Sequence, residues 1–166
     1  MVGSKLQKLT GWALLVAAIG VLWDATEVHW LGTSSLPEGS WGLISALLGM
    51  LVGLIGLTII AWTVGGPLPG LLAGLGTAAT FFFHANYPDY SSIGGFGALS
   101  LGASMLFMPG RGRFIFPLWI TTGIMHMSEL VPPGRNWGPI SAYTLLGASL
   151  LATGAFVLRS GSTRGK

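Results

Sequence analysis

The 166-residue chain has no cysteine and very little charge, with 8 basic and 5 acidic residues making up 8 % of it. The missing cysteine excludes a disulfide scaffold, a zinc–thiolate centre and a thiol nucleophile. An ordinary soluble domain carries about 25 % charged residues, so the scarcity of charge excludes a water-covered globule. Intrinsic disorder is excluded by the 51 % of hydrophobic residues. A nucleic-acid surface is not indicated either. The net charge is +3, but seven of the eight bases sit in short clusters between apolar runs, which is the pattern of membrane topology.

Six apolar segments are present, at about residues 9–30, 41–64, 67–87, 92–108, 113–131 and 139–158. Each is close to the length needed to cross a hydrocarbon core of about 30 Å. The breaks carry turn chemistry. Residues 32–40 are a Gly/Ser/Pro loop, and Gly65-Gly66-Pro67-Leu68-Pro69-Gly70 places prolines at a helix start, where a missing N–H costs nothing. Pro88, Pro109-Gly110 and Pro132-Pro133-Gly134 mark the other stops. Lys5 and Lys8 would suit the n-region of a secretory signal. The first apolar run is not followed by a convincing small-x-small site leading into a mature soluble domain, so it is expected to remain as a span.

With the N-terminus in the cytoplasm, Lys5, Lys8, Arg111, Arg113, Arg159, Arg164 and Lys166 all fall inside, and only Arg135 falls outside. The positive-inside rule therefore selects six spans with both termini cytoplasmic. The expected fold is all-α: one polytopic membrane domain of six transmembrane helices arranged as three hairpins, in a prokaryotic-type plasma membrane. Trp12, Trp30, Trp41, Trp62 and Trp137 fall at segment ends, as an interfacial aromatic belt requires. Trp23 and Trp119 lie deeper and are open to packing or ligand contact.

Residues 41–46 (WGLISA) and 137–142 (WGPISA) match at five of six positions. A histidine precedes each, and His84 stands in a comparable place before the fourth segment. The chain thus reads as three copies of one hairpin, although a Gly/Ala/Leu-rich sequence also matches itself by composition. Gly49/Gly53 and Gly70/Gly74 are spaced four apart, which lets helix backbones approach closely.

All five acids and all three histidines fall in the outer half of this topology. The positive-inside rule does not demand that, because acids contribute little to it. Asp24 and Glu27 share a helical face, as do Thr77, Thr80 and His84, and as do Thr122, His126 and Glu129. From the helical rise, Asp24 and His126 lie roughly 9 Å below the outer interface, and Glu27, His84 and Glu129 roughly 5 Å. Ionisable groups at such depth must face protein or water. The leading expectation is an outward-facing His/carboxylate site of Asp24, Glu27, His84, His126 and Glu129, binding a divalent metal or protons coupled to a solute. The plainer alternative treats each as a helix-end polar group or an interhelical hydrogen-bonder.

No H-E-x-x-H, His-rich box or G-x-S-x-G is present. Met125-His126-Met127 cannot easily hold one copper ion, because successive helical residues diverge by about 100°. Three rival functions stay open. One is a quinone-linked anchor with haem b on His84 and His126. Another is an enzyme acting on a lipid or isoprenoid, with Asp24 or Glu129 as general acid. The third is a structural subunit. Whether any reaction is catalysed is open. The partners expected are the lipid bilayer and, through membrane faces, further copies of the chain or a larger complex.

Overall fold

The structure is a computed structural model describing residues 4–26, 41–85, 91–128 and 137–162. Among these residues there are six α-helices and no strand. They are α1 (Ser4–Asp24), α2 (Trp41–Ile60), α3 (Pro67–Ala85), α4 (Ser91–Phe107), α5 (Phe116–Ser128) and α6 (Trp137–Ser162). A π-helical turn, Ala61–Gly65, extends α2, and a 3-10 turn, Gly110–Phe114, precedes α5.

Three stretches are long and apolar enough to cross a membrane: Lys5–Trp23, Ile44–Gly65 and Tyr143–Ser160. Pro67–Phe82 and Ile93–Phe107 are shorter apolar helices.

Local chemistry sets the ends. Pro67 opens α3, where its missing N–H is not needed. Gly66 before it has φ +96° and ψ −170°, a region almost closed to residues with a Cβ. Its N–H closes the π turn on the Trp62 carbonyl at 3.2 Å. The fifth segment was expected to start near Arg113. The α-helix starts instead at Phe116, with Pro117 in its first turn and residues 110–114 coiled as 3-10. The first helix begins at Ser4, five residues before the apolar run, and so carries Lys5 and Lys8 on helical backbone.

The helices form a closed ring. Each packs on its neighbours in sequence, and α6 returns onto α1. The packing is uneven. Helix α1 packs extensively on α2 and α6, and α4 on α3 and α5, while the α2–α3 and α5–α6 seams are thinner. The most extensive packing is therefore α6-α1-α2 and α3-α4-α5, which keeps the first two expected hairpins and leaves the third, α5–α6, thinner.

Glycine explains the difference. A Cβ on Gly49 would lie 2.7 Å from the Ala13 carbonyl oxygen and the Ala17 nitrogen, so α2 touches the α1 backbone there. Gly11 and Gly154 face each other across α1 and α6, Gly76 and Gly97 across α3 and α4, and Gly95 and Gly123 across α4 and α5. Dispersion contacts between backbones at this range hold membrane helices together. The thin seams carry hydroxyl pairs instead: Thr58 with Thr77 at 3.1 Å on α2–α3, and Thr122 with Ser149 at 3.0 Å on α5–α6.

The ring is apolar outside and partly polar inside. Leu9, Trp12, Val16, Ile19 and Trp23 form an exposed stripe along α1, and α2 exposes Leu48, Leu51, Ile55 and Ile59 among others. Thr10, Ser104, Thr122, Ser149 and Thr153 are fully buried. Water would favour the reverse. This distribution and the three long apolar helices are consistent with a membrane location.

Candidate functional site

The alternating helices give the ring two poles. The first carries the start of α1, the α2–α3 turn, residues 107–116 and the end of α6. Lys5, Lys8, Arg113 and Arg159 are exposed there, and Arg111 sits on its 3-10 turn. The second pole carries the end of α1, the starts of α2, α4 and α6, and the ends of α3 and α5. Asp24, His84 and His126 are placed there by their helices. Among the described residues the bases thus lie at one end of the bundle and Asp24, His84 and His126 at the other.

Of the five expected site residues, His126 is the one whose side chain is described. Glu27 and Glu129 lie outside the described residues, and Asp24 and His84 are described only as helical backbone. His126 is 3 % exposed. Its Nδ1 lies 3.0 Å from the Thr122 carbonyl one turn earlier. A carbonyl can only accept, so Nδ1 carries the hydrogen and donates it. In the neutral ring the lone pair is then on Nε2. The Tyr143 ring of α6 lies 6.0 Å from the imidazole, tilted by 59°.

Helices α1, α3 and α5 alternate around the ring, and none packs extensively on another. Any convergence of their ends at the second pole is therefore at the mouth of the ring. Among the described residues no three His, Asp or Glu side chains cluster as metal ligands. The Thr77–Thr80 stripe faces the interior, where packing accounts for it. Thr77 donates to the Leu54 carbonyl of α2 at 3.4 Å, and Thr80 to the Gly76 carbonyl of its own helix at 2.8 Å.

Below His126 a buried polar ladder follows the α5–α6 seam. Thr122 pairs with Ser149, Thr153 donates to the Ser149 carbonyl at 2.7 Å, and the Trp119 indole N–H donates to the Thr153 hydroxyl at 2.9 Å. Trp119 is 1 % exposed, so it is a core residue that ties α5 to α6. Trp23 is exposed on the outer surface of the bundle, as are Trp12 and Trp62. Backbone carbonyls interrupt the ladder, so it satisfies buried hydroxyls without forming a continuous proton wire.

Sequence reasoning missed a further feature. A cavity of about 900 Å³ opens at the basic pole, between α1, the end of α2, residues 108–115 and the last turns of α6. Its walls are mostly apolar, with Gln7, Arg159 and Ser160 as the polar side groups. Gln7 is 7 % exposed and has no hydrogen-bond partner among the described residues. Ser160 donates to the Phe156 carbonyl at 2.9 Å. Thr10, one turn beyond Gln7 on the same face of α1, is buried with its hydroxyl unpaired. An unpaired buried polar group costs about 1–3 kcal/mol. The available signal was Gln7 with Thr10, two polar residues three apart on one face of an apolar helix.

Comparison with family models, with curated proteins and with solved structures finds no match to this chain.

Proposed function

We propose that the chain is a polytopic membrane protein whose six helices all cross the bilayer, with both termini cytoplasmic. In this reading its acidic and histidine-bearing pole faces outward and binds a cation, a proton or a divalent metal, at a site centred on His126. Asp24, Glu27, His84 and Glu129 are the remaining members.

Ring closure and length support the six crossings. Helix α4, with 17 residues, lies between α3 and α5 and rises about 26 Å. The 3-10 turn and the 13-residue α5 together rise about 30 Å, which matches the core thickness. The concentration of bases at one pole supports the orientation.

The observation that carries the functional reading is His126, an ionisable side chain almost wholly buried within an apolar bundle at the pole opposite the bases. Its Nδ1–H donation to a carbonyl is the arrangement that orients histidines for binding through Nε2. The acids grouped along the chain at that end supply the negative charge a bound cation needs.

The test is Asp24→Asn and His126→Gln in the detergent-purified protein, with bound metal measured by elemental analysis and proton uptake by pH jump. Loss of one of the two in both variants supports the site. Unchanged metal content and unchanged proton uptake overturn it. An absorption spectrum of the same sample tests the haem alternative, which requires a Soret band.

A further inference from the structure

We propose that the cavity at the basic pole binds an amphiphile with an anionic head and an apolar chain, a lipid or fatty acid, with its head on Arg159 and Gln7. This goes beyond the outward cation site and does not depend on it. The volume of about 900 Å³ lies within the range of small-molecule sites. Ile60, Val64, Met108, Ile115 and Phe156 provide an apolar wall for a hydrocarbon chain.

The polar groups are placed for one end of such a ligand. Arg159 and Gln7 come from the facing helices α6 and α1, which cross tightly at Gly154 and Gly11 just beyond the cavity. A guanidinium binds carboxylate or phosphate through paired N–H groups. Gln7 is 7 % exposed as a residue, lines the cavity and lacks a partner among the described residues. A ligand head would supply that missing partner. The apolar walls exclude a wholly polar solute, and the cationic rim disfavours a cationic one.

The experiment is a native mass-spectrometric titration of the full chain in detergent, using oleate, dioleoyl phosphatidate, oleyl alcohol and inorganic phosphate as separate probes. A single saturable adduct with oleate or with phosphatidate is expected, and the arm that binds identifies carboxylate or phosphate as the head. Arg159→Gln should weaken it at least about tenfold. Gln7→Leu, which keeps the helix and removes the amide, should weaken it several-fold. Arg113→Gln makes the same charge change on the same pole outside the cavity lining and should leave it unchanged. The proposal is overturned if oleyl alcohol or inorganic phosphate binds as tightly as the amphiphilic anions. It is equally overturned if Arg159→Gln and Arg113→Gln act alike, or if adducts accumulate with no step at one per chain.

Discussion

Substituting Gly49 by alanine tests how the bundle is locked. The added methyl would sit 2.7 Å from the Ala13 oxygen, 2.7 Å from the Ala17 nitrogen and 3.0 Å from the Ala17 Cα. All three are backbone atoms of α1, so no rotamer change relieves the contact. The α1–α2 pair must separate along the seam, giving up dispersion contacts at Leu14 and Ala17. Overpacking of this kind costs about 1–3 kcal/mol. Alanine also favours the helix over glycine by about 0.8–1 kcal/mol, which offsets part of the loss. Gly74→Ala is the matched control, because its methyl would meet only the Thr58 Cγ2 at 3.6 Å, an ordinary contact. The two variants share the propensity gain and differ in the clash, so Gly49→Ala should be less stable than Gly74→Ala by about 1–3 kcal/mol. Unfolding in mixed micelles by titration with dodecyl sulfate, followed by circular dichroism, measures the difference. Equal midpoints for the two variants would refute the backbone-contact account of the α1–α2 seam.

Two further predictions concern the seam ladder and the α2–α3 turn. Thr153→Val leaves the buried Trp119 N–H without its acceptor and should cost about 1–3 kcal/mol. Adding Trp119→Phe to it should cost less than Trp119→Phe alone, and strict additivity in the double-mutant cycle would contradict the bond. Gly66→Ala meets no neighbouring atom within 4 Å, so its whole effect comes from φ +96°. It should destabilise by about 1–3 kcal/mol, and wild-type stability in the same titration would count against that turn geometry.

Much of the fold was legible because membrane insertion and turn chemistry are local. Trp41 and Pro67 begin helices where the sequence placed them, and the Pro109-Gly110 stop separates α4 from α5. The fourth segment is the shortest of the six and is glycine-rich. Those glycines are what let α4 lie between α3 and α5, with Gly97 and Gly95 at the two crossings. Hydropathy reports what a bilayer accepts rather than where backbone bonding ends, which is why α1 continues back through Lys8 to Ser4.

Ring closure and the grouping by three were not legible. They depend on which glycines of one helix meet which glycines of another, and the spacing of Gly49 and Gly53 does not name a partner. Thr122 and His126, read from their spacing as sharing a helical face, are both buried. The apparent likeness of the WGLISA and WGPISA segments does not extend to their packing, since α2 is tight against α1 while α6 is thin against α5. The basic-pole cavity escaped notice because its walls come from four separate parts of the chain.

The most direct test of the central claim uses the absence of native cysteine. Single cysteines at Ser4, Thr26, Ser91 and Ser162 report the two poles without removing a charge. With a membrane-impermeant maleimide on intact cells, Thr26→Cys and Ser91→Cys should label, while Ser4→Cys and Ser162→Cys should label only after the membrane is opened. Labelling of both poles alike from outside, or of Ser4→Cys and Ser162→Cys on opposite sides, would contradict a six-span bundle with its histidine-bearing pole outward.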